Sequence, residues 1–265
     1  MKLNMYFNAT LIASGSCFIY RHKGSAYVVT ARHNILGTHP ETGDNLSTTA
    51  AIPNRLELVA AEVQESKDKV SRIGWVRHSI DLYEDDENLK PIWLEHSSTP
   101  NIDLAVIPFN TDLPWHRAVN DELQQYHDFR PLAGDDAYVV GFPEGFTGGG
   151  CLPIWKRATI ASEPSVSLQK GTPILLDTAT RNGMSGSPVF AKSTGLIIGE
   201  SIEDEVEEGK LHPQTVIGEA YRFLGVYTSR PLADSRGTLA QLGSVVLPKY
   251  IDEILNKKKL GKSPF

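Results

Sequence analysis

The feature that most constrains this chain is the shortness and even spacing of its apolar runs. Cys17–Tyr20 and Ala26–Thr30 flank a polar turn containing Gly24, which is a hairpin signature. Similar β-rich runs follow at Arg55–Gln64, Trp75–Ile80 and Pro91–Glu95, and after Asp103. They continue at Ala137–Val140, Trp155–Ala161, Pro173–Thr178, Pro188–Phe190, Gly195–Ser201, Phe223–Ser229 and Leu239–Val246. Lys192-Ser193-Thr194 reads as a turn that makes a hairpin of Pro188–Phe190 and Gly195–Ser201. Only Pro248–Lys259 carries a helical period: Tyr250, Ile251, Ile254 and Leu255 share a face, and lysines crowd the C-terminal end. The chain therefore reads as all-β, sandwich or barrel, with one terminal helix and a frayed tail over Gly261–Phe265. The pattern divides near residue 115 into two strand-rich halves. Residues 110–130 read as a connection and 37–54 as a loop.

Charge and cysteine content narrow the class of function. A net charge of −6 weighs against non-specific nucleic-acid binding, which needs a basic face. No apolar run approaches the roughly 18–20 residues of a membrane span. Cys17 and Cys151 are too few for a disulfide framework and lack metal-ligand spacing, so free thiols in a reducing, cytoplasmic compartment are expected. The N-terminal segment MKLNMYFNATLIASGSC is interrupted by Asn4, Asn8 and Thr10, and reads as the first strand rather than a signal peptide. The acidic stretches 81–90 and 200–208 read as solvated loops. The other histidines are scattered, and Gly148–Gly150 fits no phosphate-loop pattern, so neither metal nor cofactor is expected.

Thr178–Phe190, TATRNGMSGSPVF, sets Ser185 inside a glycine-rich turn. Gly183 and Gly186 permit a tight turn that aims the N–H groups of Gly183 and Ser185 at one point, as stabilisation of an oxyanion requires. On this stretch alone, a plain loop fits as well. Upstream, His33 ends the strand Ala26–Thr30, and Asp103 stands at the head of an apolar run, where an acid wants a partner. A serine needs a base to take its proton, histidine has the right basicity, and a carboxylate orients the histidine.

In these residues the chain resembles the trypsin- and chymotrypsin-like serine proteases. Thr30-Ala31-Arg32-His33 is similar to that family's T/S-A-A-H, Ile102-Asp103-Leu104-Ala105 to its D-[IL]-A-L, and Gly183–Pro188 to its GDSGGP. Ser185–Phe190 is most similar to glutamyl endopeptidases of staphylococcal type and to stand-alone bacterial trypsin-like domains. The resemblance implies two six-stranded antiparallel β-barrels with the active site between them. Residues 1–115 would be the N-terminal barrel carrying His33 and Asp103, and 116–247 the connection and C-terminal barrel carrying Ser185. Residues 248–265 would be the helix and tail. It further implies a serine endopeptidase with His33, Asp103 and Ser185 as catalytic residues and an oxyanion hole from Gly183 and Ser185.

Two departures matter. Met184 replaces the aspartate that pairs with a newly cut N-terminus in activated trypsins, and the chain starts shortly before the first hairpin, so no zymogen switch is expected. Asn34 replaces a cysteine, and Cys17 lies close to the position of its usual partner.

The resemblance also builds a specificity pocket from Ala179, Thr180, Tyr227, Thr228 and Arg230. Ala179 stands where trypsin carries an acid, so cleavage after Lys or Arg is not expected. Thr180 matches a threonine of relatives selective for Glu or Gln, whereas Tyr227 replaces their histidine. Cleavage after Glu, Gln or Asp is the expectation, with a small or apolar residue as its competitor. The expected partner is a protein or peptide substrate, not a nucleic acid or membrane. A pseudoprotease scaffold, and an enzyme silent until an activating partner orders its turn, are the alternatives.

Overall fold

The computed structural model describes residues 1–39, 42–47, 49–65, 71–85, 87–98, 102–109, 118–121, 129–150, 152–179, 181–198, 215–229 and 241–265. The N-terminal segment is a hairpin rather than one strand: β1 (Lys2–Phe7) pairs with β2 (Thr10–Ser16). Asn8, at φ 54°, makes the reversal, because asparagine tolerates the left-handed region. β1 also pairs with β5 (Arg55–Glu65), and β5 with β6 (Ser71–Asp81). Cys17 alone separates β2 from β3 (Phe18–His22), which opens a second sheet. That sheet runs β3, β4 (Ser25–Thr30), β8 (Ala105–Pro108) and β7 (Leu94–Glu95). The first half is thus two four-stranded sheets, with the expected hairpin at β3–β4. Alternation buries Leu3 and Met5 from β1, and Leu56 and Leu58 from β5, against Cys17, Trp93 and Ile107.

The second half is a closed six-stranded barrel. It contains β9 (Asp136–Gly141), β10 (Ile154–Ile160), β11 (Ile174–Asp177), β12 (Pro188–Ile198), β13 (Thr215–Ser229) and β14 (Leu242–Val246). Ala137, Val139, Ile160, Leu176 and Val189 fill it. No turn interrupts Lys192-Ser193-Thr194; these residues continue β12 in unbroken register with β13. Their polarity marks exposure, not reversal, and Lys192 reaches Glu219 on β13 at 2.6 Å. The acidic stretch 200–208 lies outside the described residues. A short helix, α2 (Pro164–Lys170), joins β10 to β11 with Pro in its first turn and Gly171, at φ 71°, as its C-cap.

A third core cluster joins the halves. Phe18, Val29, Leu104 and Val106 from the first half meet Phe190, Phe223 and Val226 from the second. The terminal helix α3 (Lys249–Lys257) covers this seam with Ile251, Ile254 and Leu255. Polar contacts fix its register: Tyr20 donates to Asp252 at 3.0 Å, and His96 Nε2 lies 2.8 Å from Glu253. The tail beyond it is ordered, not frayed. Leu260 bridges Leu94, Gly261 N–H donates to Trp93 O, and the Ser263 hydroxyl donates to Asn88 O. Gly261 lies so close to the Trp93 ring that a side chain there would collide with it.

Ile254 is fully buried in the shared cluster. Ile254→Ala is expected to cost about 2–5 kcal/mol, read as a lower urea midpoint with little change in slope.

Candidate active site

Strand β4 ends at Thr30, and the fully buried Ala31 turns the chain inward. His33 opens a one-turn helix, α1 (His33–Leu36), anchored by the buried Ile35 and Leu36 and stopped by Gly37 at φ 66°. Asp103 stands two residues before β8, which pairs with β4, so the two side chains arrive side by side. Asp103 grips His33 twice: Oδ1 accepts the His33 backbone N–H at 2.9 Å, and Oδ2 lies 2.6 Å from Nδ1. The Arg32 N–H adds a bond to Asp103 O at 3.3 Å. Both side chains are nearly buried. With Nδ1 given to the carboxylate, the neutral imidazole keeps its lone pair on Nε2, the nitrogen left to act as a base.

The Ser185 turn is held by its carbonyls. Asn182 O accepts from Glu144 N–H at 2.7 Å, and Met184 O from Ser187 N–H at 3.0 Å. Gly183 O accepts the Ser16 hydroxyl at 2.8 Å. Ser185 O accepts both Ser16 N–H at 2.9 Å and the Asn34 carboxamide at 3.1 Å. Gly183 sits at φ 87° and Gly186 at φ 85°. A Cβ would meet Phe142 O at the first, and Ser16 O and the Thr30 hydroxyl at the second. The Met184 side chain is fully buried among the barrel's apolar residues. The N–H groups of Gly183 and Ser185, like those of Arg181 and Asn182 before them, donate to no described residue.

The Ser185 hydroxyl donates to Thr228 O at 2.9 Å. Among the described residues no hydrogen bond joins Ser185 to His33. The structure nevertheless brings both to one place, since Asn34, the next residue after His33, holds Ser185 O. Tyr227 and Thr228 are buried on β13, and Ala179 is exposed after β11. Thr180 and Arg230 lie outside the described residues. The residue facing Asn34 is Gly15, not Cys17: a Cβ on Gly15 would stand 2.8 Å from the Asn34 amide nitrogen. Cys17 is a buried free thiol, pushed up to about 11 by burial. Among the described residues, no group of three or more His, Cys, Asp or Glu side chains is placed to hold a metal ion. No helix there is long and apolar enough to cross a membrane.

Sequence reasoning missed Ser16, which contacts the turn through its hydroxyl and its N–H. Its one legible signal is its place in a Ser-Gly-Ser stretch just before the hairpin signature of Cys17–Thr30.

The profile of the trypsin-like peptidase domain matches residues 15–199. No protein of curated function matches the chain. Among solved structures, a mutant of human heparin binding protein is similar at 15% identity and TM-score 0.42, covering 99% of this chain and 94% of its own. Human heparin binding protein itself is similar at 14% identity and TM-score 0.40, with the same coverage.

Gly186 has no room for a side chain and a backbone that disfavours one. Gly186→Ala is expected to cost about 1–3 kcal/mol or more, seen in chemical denaturation, by straining the turn or pushing it off Ser16 and Thr30.

Proposed function

The chain belongs to the trypsin-like peptidase domain family, and we propose that it is a serine endopeptidase acting through Ser185, His33 and Asp103. The observation that carries this reading is the pair of uncommitted amides, Gly183 and Ser185 N–H, in a turn whose carbonyls from Asn182 to Ser185 are all engaged. His33 Nε2 takes the Ser185 proton as Oγ attacks the carbonyl carbon of the scissile bond. The carbonyl oxygen becomes an anion and accepts from Gly183 and Ser185 N–H; one such donor is worth about 10²–10³ in kcat. His33 then gives its proton to the departing amine, leaving an acyl ester on Ser185. Water, deprotonated by His33, attacks the ester and releases the acid. Asp103 holds the imidazole and stabilises its cationic form throughout.

The Ser185–Thr228 bond favours a second reading, a scaffold or an enzyme silent until a partner binds. Attack requires Ser185 to exchange the Thr228 carbonyl for His33. Breaking one such bond costs about 0.5–1.5 kcal/mol, small beside the donors' contribution, so the endopeptidase reading is preferred.

For substrate, Ala179 offers no negative charge to a Lys or Arg side chain, and an unpaired cation is costly to bury. We propose cleavage after Glu, Gln or Asp, with small or apolar residues as the competing class. We propose a reducing, cytoplasmic setting, because two cysteines are too few for a disulfide framework.

A fluorophosphonate probe is expected to label the protein on Ser185, and Ser185→Ala to abolish labelling. Replacing Ser185 or His33 should lower turnover by on the order of 10⁴–10⁶. Absence of labelling with and without candidate partners would favour the scaffold. A proteome-derived peptide library is expected to show no enrichment of Lys or Arg before the cut; such enrichment would refute both substrate classes.

A further inference from the structure

The turn that presents Gly183 and Ser185 N–H contains two glycines at positive φ, the least self-restrained backbone a chain has. Its shape must be imposed from outside. An amide points where its peptide plane points, and a plane is fixed when its carbonyl is held. The plane before Gly183 is held from within the second half, by Glu144 N–H on Asn182 O. The plane after Gly183 is held from the first half, by the Ser16 hydroxyl on Gly183 O. Gly183 is therefore clamped on both sides, once by each half. The plane that carries Ser185 N–H is held within the turn, by Ser187 N–H on Met184 O, and the plane after Ser185 is doubly held from the first half, since its carbonyl accepts from Ser16 N–H and the Asn34 carboxamide.

Both first-half residues are built for this. Ser16 is 1% exposed, and its hydroxyl also accepts Phe142 N–H at 3.2 Å. Its own carbonyl accepts the Thr30 hydroxyl at 2.8 Å, which fixes the residue at the end of β2. Asn34 is 5% exposed and its amide spends both donors, one on Thr30 at 3.0 Å and one on Ser185 O. Gly15 leaves the space the carboxamide occupies.

We infer that Ser16 and Asn34 are positioning residues that hold the Ser185 turn with its two amides facing outward. They occupy the role that an ion pair at residue 184 cannot play here, because Met184 is apolar and buried. The inference rests on the reading of Ser185 as nucleophile only for its catalytic consequence; the bracing itself is independent of it.

The test uses the full chain with Ser16→Ala and Asn34→Leu, the latter of similar size but without a donor. Amide hydrogen exchange is read at Ser187, whose N–H bonds to Met184 O within the turn, and at Gly186, whose N–H ties the turn to Tyr227 O on β13. Both variants are expected to exchange at these sites at least ~10-fold faster, with the β-barrel strands unchanged, as local opening demands. Fluorophosphonate labelling and kcat are expected to fall by ~10-fold or more while KM stays within about twofold, since the donors act on the transition state. Unchanged exchange overturns the inference, as does an unchanged labelling rate where the wild type is labelled. If the wild type is not labelled, the nucleophile reading fails, and exchange alone decides the bracing. Retention of full rate by Asn34→Leu would reduce Asn34 to a space-filler and refute its part. A variant that exchanges faster everywhere has lost global stability, which also refutes a local brace.

Discussion

Ser16 donates two hydrogen bonds across the seam, its hydroxyl to Gly183 O and its N–H to Ser185 O. Much of the candidate site depends on this grip. The chain changes sheets at Cys17, between β2 and β3; Ser16 still lies opposite Lys2 of β1, but its N–H and hydroxyl point to the other half. Thr30, at the end of β4, locks Ser16 from behind, and His33 follows three residues later. The base and the nucleophile turn are thus referenced to the same short piece of first-half backbone. Sub-ångström agreement between catalytic groups is easier to keep when they share one support than when each hangs from its own loop.

His33 has a second line of support. Arg32 donates to Glu95 at 3.0 Å, and Lys259 from the tail lies 3.5 Å from the other oxygen of that buried carboxylate. A carboxylate 1% exposed requires such partners, because removing one leaves an uncompensated charge in low dielectric. Tail pairing beside β7 supplies the second cation, so the terminal segment contributes to the ground on which Arg32 and His33 stand. The apolar seam under α3 does the larger work of holding the halves together, and the hydrogen bonds of Asp252 and Glu253 select its register.

Much of this was legible residue by residue. The hairpin at β3–β4, the helix α3 and the β-rich character follow from local period and turn chemistry, which act over a few residues. Other elements were hidden for physical reasons. α2 has clear end signals in Pro164 and Gly171, but Val166 and Leu168 are 42% and 49% exposed, so no buried stripe announces it. Lys192–Thr194 imitates a turn because an exposed ribbon and a turn select the same polar residues. The tail is ordered by Trp93 and Asn88, neither of which is near it in sequence.

The sequence by itself determined the residue types and their order: a histidine closing a strand, an acid opening one, and a serine between two glycines. Those choices are written in local chemistry, since only glycine takes the positive φ at positions 183 and 186 without strain. The tertiary structure alone decided how they are held. The bonds from Ser16 to Gly183 and from Asn34 to Ser185 span 167 and 151 residues of chain. No local pattern encodes a hydrogen bond between residues so far apart. A buried serine or asparagine acquires its partner only when two sheets, each folded for its own apolar face, meet.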